Sequence, residues 1–475
     1  MLPKTSAAVL ASLTLAACVG GPKPDVSLPA AYEARGGGDL PAERLDRWWT
    51  AFGDPQLEAL VERALVEAPD ARSAAERLNE ARATSIQALT AFLPQGNVSG
   101  SARSTESRQV EGPAIQIPGQ SLNGRSDSYG ANFNVSWELD LFGRFFATRK
   151  AYNGDVAASR FAYEGARASL AAAVADSYFQ VRGAAIQLED ARATAAIQRS
   201  LYEVAVKRSE RGLAGGADAD RAAGELAQSE GQVAALEAEL TAARRSLLVL
   251  VGRGAAPIAE APAPAEVGTI PQAPATLPGE LLVRRPDVRE AEARLQSAIG
   301  RRAYNRLAFL PTLQLTPGLG YARQVQPSYE IATRSWSWGG AASVPVLDIP
   351  RLLAELKAQN ARTRQAAIAY EKSVQTAYGE AESALVRLDA DRRRVALLKD
   401  GEARAARAFE ASRTAYAAGL TDLQTTLGAE QSWRAARTQL TAAQVQGLRR
   451  AVQTYKALGG GWPADAGAKP AEEAR

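Results

Sequence analysis

The residue types that most often carry enzyme chemistry are nearly missing from this sequence. Its 475 residues include no histidine and one cysteine. Ser-His-Asp triads, Cys-His pairs and metal sites built from His or Cys therefore cannot be assembled. Lysine, tyrosine and 52 acidic residues remain, but acids in such number are mostly solvated helix faces. We expect no catalytic residue, no metal site and no cofactor.

The charge distribution argues against nucleic acid as a partner. The chain has 56 basic and 52 acidic residues, for a formal net charge of +4. These charges are spread along the sequence, without the basic stripe that marks a nucleic-acid surface.

A short apolar run lies near the start of the chain. Lys4 precedes residues 7–17, which are too few to cross about 30 Å of hydrocarbon and are typical of a signal peptide. We therefore predict a signal peptide over residues 1–17.

The single cysteine follows that run in the motif Leu15-Ala16-Ala17-Cys18, which resembles a bacterial lipobox. On this interpretation Cys18 becomes the first mature residue and carries lipid, and residues 18–42 form a lipidated linker. Acyl chains contribute about 0.8 kcal/mol per buried methylene, so several chains make a firm anchor. Val19, in place of aspartate, favours delivery to the outer membrane. The alternative is ordinary cleavage beside an incidental cysteine.

The sequence contains an internal duplication. Pro69-Asp70 recurs as Pro286-Asp287, and Ala91-Phe92-Leu93-Pro94 recurs as Ala308-Phe309-Leu310-Pro311, both 217 residues later. Gly212-Leu213 answers Gly419-Leu420 at a distance of 207, so the copies differ by short deletions. A constant offset over many residues indicates a repeat of about 210 residues rather than a solenoid.

This repeat divides the chain into segments. We predict a first structural repeat at 43–254, a connector rich in proline and alanine at 255–279, a second repeat at 280–458, and a C-terminal tail at 459–475.

Each copy predicts one β-hairpin, at 95–141 and 312–347. Residues 128–141 alternate between apolar and polar side chains without exception, and residues 335–346 repeat the pattern. Pro345 is expected at a strand end and Pro317 in a bulge.

The strands are predicted to span a membrane. Runs of ten or more residues can cross a bilayer when tilted, and aromatic side chains lie on the apolar faces. The polar stretches 105–127 and 324–333 are expected to be extracellular loops. A soluble sandwich would show the same alternation and is the alternative. The side chains expected to face lipid are Tyr129, Phe133, Trp137, Tyr321, Trp336 and Trp338.

Four strands cannot close a barrel, and an open edge in lipid leaves backbone groups unpaired at a cost of several kcal/mol each. Closure therefore needs at least two copies, and three copies would supply twelve strands.

Long helices follow both hairpins. Residues 145–211 contain no proline, and small residues recur at spacings of four and three, which predicts a coiled-coil seam about 100 Å long. Shorter helices return after glycine breaks, giving helical hairpins at 145–251 and 352–458. Segments 71–92 and 288–309 are expected to continue the shorter helices end to end. A rod-like scaffold would be the alternative if the strands were absent.

Three motifs resemble one known family. They are Arg284-Arg285-Pro286-Asp287-Val288-Arg289, Trp48-Trp49-Thr50-Ala51-Phe52-Gly53-Asp54 and Trp137-Glu138-Leu139-Asp140-Leu141-Phe142-Gly143. With the lipobox, the sequence resembles the TolC-like outer-membrane factors, or outer membrane efflux proteins, and within them the lipoprotein branch typified by OprM and NodT. The resemblance covers nearly all of the mature chain.

The resemblance implies an α+β membrane protein that acts as a homotrimer. Long coiled-coil hairpins would form a periplasmic α-barrel, four strands per chain would form a twelve-stranded outer-membrane β-barrel, and the connector would be equatorial. Such proteins are exit ducts that take small molecules, such as drugs, toxic compounds or metals, from an RND-type inner-membrane transporter and a periplasmic adaptor. Protein secretion through a type I system, a structural lipoprotein without transport, and a carboxylate hydrolase of the cell wall are the alternatives.

The resemblance also places a gate where the helical hairpins turn. Gly212, Leu213, Gly419 and Leu420 are the candidates for the turns and for adaptor contact. The apolar and acidic gate rings of relatives fall on Gln424 and Gly428, so this chain departs from the family pattern.

Nearby acids complete the set of gate candidates, which are Asp422, Glu430, Asp218 and Asp220. Helix capping is the alternative for Asp218 and Asp422, because each follows a glycine break and begins a helix.

Overall fold

The fold comes from a computed structural model that describes residues 24–34, 45–108, 110, 124–212, 215–273, 276–327 and 329–461. The predicted signal peptide, Cys18, Leu213 and nearly all of the predicted tail lie outside the described residues. None of the helices in the described part of the chain is long and apolar enough to span a bilayer.

The described helices are α1 (Pro55–Glu67), α2 (Pro69–Thr90), α3 (Arg144–Glu210), α4 (Gly216–Val251), α5 (Leu281–Arg284), α6 (Pro286–Leu307), α7 (Ile349–Ala417) and α8 (Leu423–Ala457). The strands are β1 (Gln95–Ser107), β2 (Gly124–Leu139), β3 (Thr312–Leu315), β4 (Gly318–Gln326), β5 (Tyr329–Ser337) and β6 (Gly340–Ser343). Each half of the chain has the same order: a helix of 22 residues, two strand paths, a helix of 67 or 69 residues, and a returning helix of 36 or 35. In the second half each strand path is divided into two strands.

One compact unit, made of Asn79–Ala158 and Glu292–Ala369, contains all the described strands. They form one antiparallel sheet in which β2 lies between β1 on one side and β3 and β4 on the other. In turn, β5 pairs with β4 and β6 pairs with β3. Four strand paths therefore lie side by side, with β1 at one edge and β5 and β6 at the other.

The expected bulge at Pro317 is wrong. Trp137 pairs with Leu315 and Asn134 pairs with Gly318, so the register of β2 is unchanged across the proline and no extra residue is inserted. The carbonyl of Pro317 still accepts from the N–H of Val135 at 2.9 Å. Since proline has no N–H to return, one ladder hydrogen bond is lost, and the strand is interrupted rather than bulged. Pro345 lies beyond the end of β6, as expected.

The predicted extracellular loops are too long. β4 continues to Gln326 and β5 begins at Tyr329, so most of 324–333 is paired strand. β1 similarly extends to Ser107 and β2 begins at Gly124. Polar composition led the sequence prediction to end these strands early.

The second compact unit is made of Asp25–Leu78, Ser159–Ala291 and Tyr370–Arg475, and it includes the hairpin turns. In it the returning helices are continued end to end, as predicted. Gly252 closes α4 with φ at 86°, and a β-carbon there would lie 2.9 Å from the carbonyl oxygen of Glu67, just before α2.

Gly459 repeats this arrangement after α8. Its φ is 79°, and a β-carbon there would lie 2.9 Å from Arg284, just before α6. Each joint therefore needs a residue that tolerates left-handed backbone and has no side chain.

Beside these joints lies a cluster of aromatic side chains. Trp48 stacks on Tyr455 with ring centroids 5.9 Å apart, and Phe52 packs on Phe179 at 5.1 Å. Asp54 caps the N-terminus of α1 by accepting from the backbone N–H groups of Gln56 and Leu57, and it forms an ion pair with buried Arg182.

Candidate functional sites

The turns of both helical hairpins expose a glycine, and the second turn also exposes a leucine. Gly212 has φ at 70° and Gly419 at 75°, and a β-carbon at either would meet nothing within 4 Å. The N–H of Leu420 donates to the carbonyl of Ala415 at 2.9 Å, and its side chain is 82% exposed. The turn after α7 therefore presents an apolar side chain to solvent.

Beneath these turns, an apolar cluster joins α3 to the end of α7 and the start of α8. Its buried residues are Leu201, Tyr416, Leu423 and Leu427. The guanidinium of Arg208 lies 5.1 Å from the ring centroid of Tyr416, a cation–π contact at the rim of the cluster. This cluster holds the two hairpin ends together from inside.

Asp422 is the N-cap of α8. Its carboxylate accepts from the backbone N–H of Thr425 at 2.7 Å, and this hydrogen bond holds the pKa of Asp422 below its usual value. The alternative of helix capping is therefore present at this residue.

Asp218 does not cap its helix. The N-cap of α4 is Gly215, and no side chain caps it. Asp218 lies in the first turn, half-buried, where a carboxylate interacts with the helix dipole but is too far along the chain to be the cap. The alternative of helix capping therefore fails for Asp218, because the helix begins earlier, at Gly216. Asp220 is exposed in the same helix.

Gln424 lies at the position where relatives are expected to carry an apolar ring. It is exposed, and its side-chain oxygen accepts from the guanidinium of Arg221 at 3.0 Å. This hydrogen bond joins α8 to α4, that is, one hairpin to the other. Gly428 is exposed, with open space where a side chain would lie.

Glu430 differs from the other candidates because it is completely buried. One carboxylate oxygen accepts from the side-chain amide of Gln198 on α3, and the other lies 3.5 Å from Arg434. Burial raises the pKa of Glu430 to about 6; Arg434 opposes this rise and Glu225 on α4 adds to it. The fold therefore disfavours the ionised form of this gate candidate.

The partners of these candidates were not identified as gate residues from the sequence. Gln198 occupies a seam position of α3 where small or apolar residues prevail, which is a signal that a polar group is buried there. Arg434 follows Glu430 by four residues, the spacing of a helical ion pair. Arg221 carries no comparable signal, because its partner lies 203 residues away.

The sheet has one apolar and one polar face, as predicted from the alternation. One row across the apolar face consists of Val98, Phe133, Leu319 and Trp336, which pair in succession and are all at least 42% exposed. Tyr129 and Tyr321 lie on the same face nearer the strand turns. Trp137 lies nearer the helices, where its indole N–H donates to the carbonyl of Phe92 at 3.0 Å. Trp338 lies between β5 and β6 and is 77% exposed.

The described N-terminal residues lie along α7. The backbone N–H groups of Asp25 and Ala34 donate to the carboxylates of Glu371 and Glu382. Between them, the ring of Tyr32 stacks on Tyr378 with centroids 5.8 Å apart. Residues 24–34 are therefore packed on the second unit rather than detached from it.

Comparison with known proteins identifies the family. Residues 60–253 and 277–460 match the family described as "Outer membrane efflux protein". The chain belongs to this family. The match in two successive segments accords with the duplicated order of elements, and the resemblance drawn from the sequence motifs is confirmed.

Individual relatives of this outer membrane efflux protein cover most of its length. It is 28% identical to the pyoverdine export outer membrane protein OpmQ of Pseudomonas aeruginosa over 98% of both chains. It is also 28% identical to the cation efflux system protein CusC of Escherichia coli, over 87% of this chain and 88% of CusC. The solved outer-membrane channel OprN superposes with a TM-score of 0.79 at 27% identity, over 94% of this chain and all of OprN. The chain therefore has the α+β fold of outer-membrane efflux channels.

Proposed function

We propose that this protein is the outer-membrane exit channel of a tripartite efflux system. In this role a homotrimer receives small molecules, such as drugs, toxic compounds or metals, from an RND-type inner-membrane transporter and a periplasmic adaptor. The cargo passes through without chemical change. OpmQ is described as a pyoverdine export protein and CusC as part of a cation efflux system, so the family serves more than one cargo.

The observation that carries the proposal is a two-faced sheet with two open edges. β1 and the path of β5 and β6 each have a neighbour on one side only, and the apolar face is solvent-exposed in one chain. In a bilayer, unpaired edges cost several kcal/mol for each backbone group. Pairing β1 of one copy with β5 of the next removes both edges, and three copies give a closed wall of twelve strand paths.

The faces of that wall follow from the strand registers. Tyr129, Phe133, Trp137, Tyr321 and Trp336 would face lipid, and Trp338 would join them at the periphery. The opposite face carries Ser128, Asn132, Asn134 and Ser136, which are suited to line a water-filled passage.

We place the periplasmic gate at the hairpin ends. The Arg221–Gln424 hydrogen bond links the two hairpins of one chain near their turns, and Asp422 fixes the start of α8 beside it. Separation of the hairpins would break this link, so it favours the closed state. Exposed Leu420, with Gly419 and Gly212, is the surface we assign to adaptor contact.

The channel is further proposed to be lipid-anchored through Cys18 in the outer membrane. Since residues 24–34 are fixed on α7, only a few residues separate Cys18 from the folded body. Replacement of Cys18 by alanine should abolish acyl labelling in cells, and continued labelling of that variant would contradict the assignment.

Single-channel recording in planar bilayers tests the channel itself. The purified trimer should conduct with long closed periods, and Gln424→Ala should increase the open fraction because it removes the link between hairpins. Arg199→Ala is the matched control: Arg199 forms an ion pair with Glu230 across α3 and α4, within one hairpin, so its loss should leave gating unchanged.

Two results would decide against these assignments. Absence of conductance under all conditions would indicate a structural lipoprotein instead of a channel. Equal open fractions for the Gln424 and Arg199 variants would remove the gate from the hairpin ends while leaving the channel intact.

A further inference from the structure

The apolar face of the sheet carries an arginine that the channel function does not use. Arg334 on β5 pairs with Tyr321 on β4, which pairs with Ala131 on β2. All three side chains therefore lie on the face that carries Phe133 and Trp336. Arg334 is exposed, and no carboxylate of the described residues lies within ion-pair distance of it.

The other described arginines on this face have carboxylate partners, and Glu106 lies across from Arg125. Arg323 forms an ion pair with Glu330 at 2.6 Å, and Arg125 forms one with Asp127 at 3.0 Å. Within one chain, Arg334 is thus the arginine of this face that has no carboxylate partner among the described residues, on a surface that we propose to face lipid. A guanidinium exposed to hydrocarbon is costly, so it must reach a polar partner at the membrane surface.

The position of Arg334 along the strands corresponds to the membrane surface, where such a partner would lie. From the row of Leu139, beside the helical end of the sheet, to the row of Ala131 there are eight residues, or about 27 Å along a strand. At a tilt of about 40° this rises roughly 20 Å, close to the top of an apolar band about 25 Å tall. Tyr129 and Tyr321 lie at the same level, as aromatic residues do at the membrane interface.

This level belongs to the outer leaflet. The helices α3 and α6 join the sheet at its opposite end, whereas β4 and β5 are connected on the side beyond Arg334. With the helices in the periplasm, as proposed above, the strand turns face the exterior.

A groove beside Arg334 could accept an acyl chain. It has a volume of about 510 Å³, and its lining includes Val98, Ala131, Phe133, Leu319, Tyr321 and Arg334. The small side chain of Ala131 leaves the depression between larger neighbours. Arg323 lies on the adjacent strand, diagonal to Arg334, at a separation typical of about 7–8 Å. A phosphate bound to Arg334 would therefore lie within reach of Arg323, which has further N–H donors beside the one it shares with Glu330, while the acyl chain occupies the groove.

We propose that Arg334, assisted by Arg323, binds a phosphate of an outer-leaflet glycolipid of the lipid A class. The inference rests on the proposed membrane orientation of the sheet. Arginine suits this role because its fork of N–H donors pairs bidentately with phosphate oxygens.

Thermal stabilisation of the purified, detergent-solubilised trimer by added lipid tests the site. Lipid A should stabilise the wild-type trimer, and chemically dephosphorylated lipid A should do so much less. Arg334→Gln should weaken the apparent affinity for lipid A about tenfold, which corresponds to the loss of one charge-assisted contact. Arg103→Gln is the matched control, because Arg103 is exposed at nearly the same level of β1 but on the polar face.

Several outcomes would overturn the inference. Equal affinity of wild type and Arg334→Gln for lipid A, or equal stabilisation by the two lipids, would exclude a phosphate site at Arg334. Equal weakening by Arg103→Gln would show a general charge effect. Bilayer conductance of the same preparations separates the two proposals: a conducting trimer without lipid preference overturns this site alone, whereas a lipid-binding trimer that never conducts overturns the channel.

Discussion

Replacing Glu430 by glutamine should remove a pH dependence from the hairpin ends. Glu430 is completely buried, and its pKa rises from 4.5 to about 6. An acid whose pKa is higher in the folded state stabilises the fold fully below pH 4.5, and that contribution is lost as the pH rises through about 6. At about 1.4 kcal/mol per pH unit, the ionised carboxylate costs about 2 kcal/mol at neutral pH.

The surroundings explain why glutamine should relieve this cost. Gln198 already donates its amide to one oxygen of Glu430, while the amide oxygen of Gln198 has no hydrogen-bond partner among the described residues. A glutamine at 430 accepts the same hydrogen bond and carries an N–H₂ group for that oxygen. Of the charged neighbours, Arg434 would lose an ion-pair partner but is partly exposed, and Glu225 would lose a repulsive neighbour.

Hydrogen exchange of the backbone amides around residue 430, corrected for intrinsic rates, measures the effect. At pH 7.5 the glutamine variant should be protected about thirtyfold more than the wild type, and at pH 4.5 the two should be equal. Glu410→Gln is the control, because Glu410 is a solvent-exposed partner of Arg413 near the same turn and should change protection at neither pH. A ratio between wild type and Glu430→Gln that is the same at both pH values would refute the reasoning.

Two further predictions concern the second unit and are read from the midpoint of urea unfolding, followed by helical circular dichroism. Gly252→Ala should lower the free energy of unfolding by about 3 kcal/mol, because the new β-carbon clashes at the joint and the left-handed backbone is strained. Gly419→Ala should lower it by only about 1–2 kcal/mol, because it adds the backbone strain without a clash. Equal losses for the two variants would contradict the packing at the joint. Asp54→Ala should lower the free energy of unfolding by about 3–5 kcal/mol, since it removes the cap of α1 and leaves buried Arg182 without its carboxylate partner. Asp54→Asn should be about 1 kcal/mol more stable than Asp54→Ala, because asparagine retains the cap. Equal stability of the two variants would exclude the capping role.

The periodicity of the sequence was sufficient to predict where the helices lie and which face of the sheet each strand residue occupies. α3 lies within one residue of its predicted bounds, because a helix of 67 residues without proline has no competing structure. The strand ends were less accurate. Whether residues 324–326 pair depends on β5 and β2 opposite them, and a polar segment held by neighbouring strands is indistinguishable in sequence from a loop.

Prediction from the sequence was limited in the same way for the single residues of the candidate gate. The cap at Asp422 follows from its position after a glycine break, but the same reasoning failed for Asp218, where α4 begins two residues earlier. Glu430 is hydrogen-bonded to Gln198, and Gln424 to Arg221; in both pairs the residues are more than 200 positions apart in the sequence. Contacts of this kind depend on how the two copies pack, which the spacing within either copy does not encode.

Because of the joints at Gly252 and Gly459, a change in the length of one helix does not change the orientation of the helix that continues it. In an unbroken helix, each inserted or deleted residue would rotate everything beyond it by about 100° and turn buried side chains outward. A joint stops this rotation, because the two helices that meet there are separate in the chain and share only a surface. The two copies already differ by ten residues between their Leu-Pro motifs and their hairpin turns, yet both joints are preserved. Insertions and deletions in the strand region can therefore accumulate while the helical hairpins retain their packing.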